Sequence, residues 1–353
     1  MISDRLLVIA RCPDCAGTLS PDGNRTSRCG GCGRVYAQAD GYLDLRPSTM
    51  FAEQTKYLDE ALHADARHER VSPPLLGAGV RNYMLRQFLQ LRPGELVADL
   101  GCGSGRMLVW NQPLGAHQVG IDVSPYFAEE ALAGSDLVLG DLRTLPFASG
   151  VFVKAYSLDV FEHLSPAALA EVVKEMARVI EPGGHLFVYS HVRRNSRLAL
   201  GLRAINRLAA ALERVGLIDL RQERLRKSDH LNPLADIPDL ERVVGAAGFR
   251  IARIRYYTPL IGGFIENILM RMAERALGRG LRRRTSSRDA SDRADEEARL
   301  ARTAAKRHLD RGGPVLVVLK MLTYLMRLDV WLFGRIRSGP FFALLERTSG
   351  GEA

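Results

Sequence analysis

The sequence predicts an α/β fold in which a mostly parallel sheet is covered by helices on both faces, with a small metal-stapled ribbon ahead of it. Three observations carry this expectation. From Leu96 onward, short apolar runs alternate with helical patterns: LVADL, QVGID, LVLGD, VKAYSLD and HLFVYSHV. Strands that alternate with helices pair in parallel and are buried on both faces. The first run leads into a glycine-rich turn, Gly101 to Gly105, and four of the five cysteines fall in two CxxC pairs within the first 32 residues.

Residues 1–46 read as the ribbon, with β-like pieces at Arg5 to Ala10, Arg34 to Ala37 and Tyr42 to Leu45. So short a unit cannot bury a sufficient core unaided and needs a staple. Cys12, Cys15, Cys29 and Cys32 supply it, because four thiolates in two knuckles make the tetrahedral soft site that Zn²⁺ favours. Four thiolates leave no open coordination position, so the zinc is expected to be structural. Residues 47–92 read as a helical linker or lid, broken at Ser72-Pro73-Pro74 and ending at Arg92-Pro93-Gly94. The α/β body follows over 93–257, interrupted by a basic helical stretch at 193–227. A second insertion, basic and apolar, occupies 258–338, and PFFALLE within 339–353 reads as a last strand.

Composition bounds the function class. With 46% hydrophobic and 25% charged residues, wholesale disorder is excluded. The net charge of +9 is unevenly spread: residues 193–227 hold ten Lys/Arg against three Asp/Glu, and 258–338 hold seventeen against nine. The remainder of the chain is acidic, so an anionic partner, whether membrane or nucleic acid, meets the insertions first. The apolar run Leu6 to Ala10 is short and has no small-residue cleavage site after it. The expectation is therefore a cytoplasmic protein without a signal peptide. Val315 to Phe333 is apolar, but Lys320, Arg327 and Asp329 interrupt it. A centrally placed charge costs about 2.5–3.5 kcal/mol in a spanning helix, so no transmembrane span is expected. A lid, an oligomer contact or a helix lying in a membrane interface fits this segment better.

The chemistry concentrates around the glycine turn. A buried strand ends in Asp99, and Gly101, Gly103 and Gly105 then make a turn where backbone lies close to a ligand. Asp122 ends the next strand, where a carboxylate can hold a ribose diol, and Asp141 ends the third. These residues resemble the class I S-adenosylmethionine-dependent methyltransferases, specifically the UbiE-like or type 11 methyltransferase domain. The resemblance covers about residues 75–192, with a helix and strand more at 236–257. It runs through Leu145-Pro-Phe147, Ser157-Leu-Asp-Val-Phe-Glu-His-Leu164 and Ile180-Glu-Pro-Gly-Gly184 in the family's order. It implies a Rossmann-like sheet and S-adenosylmethionine as cofactor. Asp99, Gly101, Gly103 and Gly105 would lie beside the methionyl part and Asp122 on the ribose, with Asp141 and Leu142 bordering the adenine and Leu158 at the strand end that faces cofactor and acceptor. Cys102, inside the loop, is expected to be a packing residue.

The ribbon and its continuation, Val35 to Leu45, resemble Trm112-like proteins and the N-terminal ribbon of the RlmA-type 23S rRNA guanine methyltransferases. The acceptor is less legible. His163, in the Phe-Glu-His-Leu segment, and His230, ahead of the helix at Asp236 to Ala247, are the candidates for acceptor contact or general base. Amino-methyltransferases of nucleic acid bases usually carry Asn-Pro-Pro-Tyr where this chain has Ser157-Leu-Asp-Val. That departure favours a small-molecule or lipid-like acceptor, with peripheral membrane contact through 258–338. An rRNA or tRNA substrate is the alternative, and a partner-docking ribbon on a cofactor-binding scaffold is a third, non-enzymatic reading.

Overall fold

A computed structural model describes residues 2–23, 25–39, 41–49, 71–194, 200–218, 230–231, 233–257, 260–273 and 313–349. The helical readings at 50–70 and across most of 274–312 lie outside the described residues, as does part of the 193–227 stretch. The strands are β1 (Leu19–Pro21), β2 (Thr26–Cys29), β3 (Val35–Ala39), β4 (Tyr42–Asp44), β5 (Leu96–Leu100), β6 (His117–Asp122), β7 (Asp136–Leu139), β8 (Phe152–Leu158), β9 (Ile180–His191), β10 (Phe249–Tyr256) and β11 (Pro340–Arg347). They follow the order β1-β2-β3-β4-β7-β6-β5-β8-β9-β11-β10. Pairs among β4 to β9 across the middle are parallel, and β11 inserts antiparallel between β9 and β10.

All five apolar runs form strands of the parallel region, and PFFALLE is β11. Their alternation divides the interior. Leu186 and Val188 of β9 and Phe341, Ala343 and Leu345 of β11 enter one core, while Phe187, Tyr189 and Phe342 enter the other, as a period of two requires. The first core is closed by α5 (Pro166–Val179) and α7 (Ile237–Ala246) through Val172, Met176, Leu240 and Val244. The second is closed by α2 (Leu76–Leu89) and α9 (Pro314–Phe333) through Val80, Leu85, Phe88, Met326 and Val330. Between them in the chain come α3 (Arg106–Asn111), α4 (Glu129–Gly134), α6 (Leu200–Arg214) and a short helix α8 (Ile261–Phe264) that continues as a π turn to Leu269.

Two details differ from the sequence reading. Arg5 to Ala10, expected to be β-like, is the helix α1 (Asp4–Ile9). Ser3 caps it by accepting from the Leu6 amide at 3.1 Å, and Leu6 and Ile9 bury one face at helical spacing. The polar residues of α9 divide: Lys320 is exposed, whereas Thr323 and Asp329 face inward. Thr323 is buried and accepts from the Leu76 amide at 2.7 Å, and Asp329 accepts from the Leu260 and Gly262 amides at 3.2 and 2.9 Å. The apolar residues Val317, Val318, Met321, Tyr324, Trp331 and Leu332 are left exposed. Among the described residues no helix is long and apolar enough to cross a membrane.

The ribbon strands extend the central sheet. Tyr42, Leu43 and Asp44 pair in parallel with Leu137, Val138 and Leu139 of β7. The Arg11 amide donates to the Pro146 carbonyl at 2.9 Å, and Ala148 donates to Ile9 at 2.8 Å. The edge of the α/β sheet, otherwise a row of unpaired backbone groups, is thereby covered.

Candidate active site and thiolate cluster

The connection order changes direction at β5: the chain proceeds outward through β6 and β7, then returns to place β8 on the other side of β5. Such a switch point opens a crevice at the carboxyl ends of the strands, where ligands of open α/β sheets bind. The glycine turn lies there. Gly101 has φ +90° and a Cβ on it would come within 2.4 Å of Val160, while Gly105, φ +79°, starts α3 with only 2.6 Å to Ala131. Both positions therefore need glycine for backbone and space. Among the described residues a Cβ on Gly103 would meet nothing within 4 Å, so this part of the turn borders space open to them.

The acids sit as the strand ends dictate. Asp122 accepts from the Gly103 amide at 2.7 Å and from Ser124 at 3.0 Å, which ties the β6 end to the turn. Asp99 is buried, and its Oδ2 has no hydrogen-bond partner among the described residues. Burial and the nearby Asp122 push its carboxyl well above the usual range. Asp141 caps the turn Leu142–Thr144 and pairs with Arg143 at 2.9 Å. Leu142 reaches to 3.7 Å from the Cβ position of Gly101, and Leu158 ends β8. Burial raises the Cys102 thiol well above its usual value, in keeping with a packing role.

The two candidate histidines, 67 positions apart, meet: the His163 and His230 rings stand edge to face with centroids 4.7 Å apart. Beside them stands Glu162, 1% exposed. Ser190 Oγ donates to Glu162 Oε2 at 2.7 Å, and His191 Nδ1 lies 3.2 Å from Oε1. Burial alone would raise the Glu162 carboxyl, but His191 and Ser190 outweigh it and hold it below the usual range. Asp159, at φ +57°, pairs with Arg81 of α2, whose guanidinium lies 4.9 Å from the centre of the Tyr189 ring. The sequence reading singled out His163 and His230 but missed Arg81, Glu162, Tyr189 and His191. Glu162 stood inside a quoted motif. Nothing local to the sequence marks Arg81, whereas His191 closes the apolar run of β9, a strand-end position worth weighing for a site.

At the ribbon, Cys12 and Cys32 sulfurs lie 3.6 Å apart, Cys15 and Cys29 3.4 Å. All four fall within 4.8 Å of one another. These separations are far from the ~2.05 Å of a disulfide and close to the ~3.8 Å edge that Zn–S bonds of about 2.3 Å produce in a tetrahedron. The amides of Cys32 and Gly31 point at Cys29 Sγ, at 3.5 and 3.3 Å, and lower its thiol to about 6.

Part of the chain is similar to known methyltransferases. Residues 98–188 match a family model described as a methyltransferase domain. A probable tRNA methyltransferase 9B of Mus musculus is 35% identical over 134 residues, covering 37% of this chain and 30% of that protein. A sterol 4-C-methyltransferase of Caenorhabditis elegans is 31% identical over 116 residues, 30% of this chain and 34% of its own. The chain thus spans about a third or less of the length of the first of these relatives. Among solved structures, a phosphoethanolamine N-methyltransferase 2 of Haemonchus contortus with S-adenosyl-L-methionine aligns with TM-score 0.48 and 14% identity, over 86% of this chain and 61% of that one. Over residues 98–188 the chain therefore carries a methyltransferase domain.

Proposed function

We propose that the protein transfers a methyl group from S-adenosylmethionine, by in-line displacement, to a small-molecule or lipid-like acceptor. One observation carries the reading: the glycine turn with its orphaned Asp99 Oδ2 and the Glu162–His163–His230 cluster occupy the same carboxyl-end region of the sheet. The cofactor fits the first half. Asp99 Oδ2 is a buried acceptor in need of a donor, which the methionyl ammonium supplies, and the open side of Gly103 leaves room beside the backbone. Asp122 would take the ribose hydroxyls, Asp141 and Leu142 would border the adenine, and Leu158 would face the sulfonium.

The sulfonium supplies an activated methyl group, so this chain's residues mainly hold the acceptor in line and exclude water. His163 and His230 would contact the acceptor, and an imidazole whose nitrogen is not engaged with a cation could take a proton lost at the transition state. Zinc in the Cys12, Cys15, Cys29 and Cys32 tetrad would staple the ribbon, and the four thiolates leave no coordination position for chemistry.

Calorimetric titration with S-adenosylhomocysteine tests the cofactor half, with saturable 1:1 binding expected; no binding overturns it. The exposed apolar residues of α9, flanked by Lys320, Arg335 and Arg337, support a peripheral membrane contact. Co-sedimentation with anionic liposomes is the expected result, and none with either anionic or neutral vesicles removes that part. A second reading, methylation of tRNA or rRNA, is favoured by the name of the mouse relative and by the Arg-bearing helix α6. Steeply salt-dependent RNA binding would support it, and no binding at low salt would sink it.

A further inference from the structure

We propose that Glu162, His163 and His230 form a second metal site, separate from the thiolates, that takes a divalent cation of the Mn, Fe, Co or Zn type and presents it to an oxygen atom of the acceptor. The ligand atoms of these three residues lie within 4.8 Å of one another. Donors about 2.1 Å from one cation in a facial set stand about 3.0 Å apart, so the widest pair would close by up to about 1.8 Å. The donors come from two separate segments: Glu162 and His163 from the turn after β8, and His230 from the loop ahead of α7. Two imidazoles and one carboxylate are a facial set that leaves positions open on the far side of the cation. The nitrogen donors favour transition metals over Mg²⁺ and Ca²⁺, which prefer oxygen throughout.

The surroundings are built for such a role. Glu162 is the buried member, and both its oxygens are oriented by neighbours, Oε2 by the Ser190 hydroxyl at 2.7 Å and Oε1 by His191 at 3.2 Å. Partners of this kind fix ligating carboxylates elsewhere. A buried carboxylate also calls for positive charge close by, and Arg81 of α2 is engaged with Asp159. His230 is held near β9 through backbone bonds around its loop, Arg193 N to Leu234 O at 3.1 Å and Arg194 N to Ala235 O at 2.9 Å. The arrangement suits an acceptor whose hydroxyl, carboxylate or phosphate oxygen fills an open position and so aligns with the methyl donor. That use of the cation rests on the methyltransferase reading; cation binding itself does not.

The test uses the full chain with zinc in its thiolate tetrad and titrates Mn²⁺, followed by calorimetry and by the Mn²⁺ electron paramagnetic resonance signal. Mn²⁺ suits the nitrogen–oxygen set and competes poorly for thiolates. One Mn²⁺ per chain is expected. His230→Ala and His163→Ala are each expected to weaken it at least tenfold while the zinc content stays unchanged. His230 sits in a part-exposed loop outside helix and strand, so its alanine variant keeps the fold. The assignment is overturned if neither Mn²⁺ nor Co²⁺ binds the zinc-loaded protein, or if His230→Ala and His163→Ala bind Mn²⁺ as the wild type does. S-adenosylhomocysteine titration of the same samples reports on the cofactor separately. Its failure in the wild type would overturn the methyltransferase reading and leave the metal assignment to the Mn²⁺ result.

Discussion

The two donor clusters of this protein are built in opposite ways. The thiolates Cys12, Cys15, Cys29 and Cys32 lie within 21 consecutive residues and meet through two tight knuckles of a small ribbon. Glu162, His163, His191 and His230 span 69 residues and meet because β8, β9 and the loop before α7 end at one place on the sheet. The first cluster is the proposed zinc staple of a unit too short to bury a sufficient core alone. The second is held by a sheet that would stand without it. Removing a ligand should therefore cost stability at the ribbon and function at the sheet.

The largest effect should come from Cys29→Ser. Its sulfur receives two backbone amides and sits 1% exposed in the ribbon core. Losing a thiolate ligand should release the zinc and cost roughly 3 kcal/mol or more, given that metal binding in such units is folding free energy. The ribbon strand β4 pairs with β7, so the damage should spread to the sheet edge. The thermal midpoint should fall by several degrees, and bound zinc, measured by mass spectrometry, should drop by one equivalent. A variant that loses its zinc yet melts like the wild type would break the staple half of the comparison.

Asp122→Ala should do the reverse. The carboxylate accepts the Gly103 and Ser124 amides and is assigned to the ribose diol. Two charge-assisted hydrogen bonds to the ligand at about 1.5 kcal/mol each correspond to roughly a hundredfold loss of S-adenosylhomocysteine affinity, with the zinc retained. Calorimetry checks both the affinity and the 1:1 stoichiometry. A loss of less than about threefold would mean that the ribose lies elsewhere.

The contrast also explains what the sequence could reveal. The parallel strands and the glycine turn were legible because periodicity and spacing are local properties, and Asp99, Asp122 and Asp141 follow from strand ends. The thiolate tetrad was legible for the same reason. Arg81 was not, since its partner Asp159 is 78 residues away and only the fold brings α2 over β8. The pairing of β4 with β7 was hidden too, because a three-residue strand carries almost no periodic signal. The charges that interrupt α9 were legible, but the inward facing of Thr323 and Asp329 depends on Leu76, Leu260 and Gly262 amides contributed by distant segments.

The smallest effect tests what holds the loop of His230. Asp236 caps α7 by accepting from the Asp239 amide at 3.1 Å, and Asp239 reaches back to the Ala235 amide at 2.9 Å. The Ala235 bond, with Arg242 assisting against a burial cost, holds the Asp239 carboxyl below its ordinary value. A depressed folded-state pKa stabilises the protein above the unfolded value, about 3.9, and that contribution fades as pH falls through the folded value. Asp239→Asn should therefore cost about 1 kcal/mol near pH 7, the usual worth of a helix cap. The gap between wild type and variant in urea midpoint should stay constant from pH 7 to about pH 5 and narrow below pH 4. Ala235 and Leu234 also receive Arg194 and Arg193 of the β9 end, so the same variant should loosen the approach of His230 to His163. A gap that persists unchanged to pH 3 would mean that the Asp239 charge plays no part in anchoring the loop.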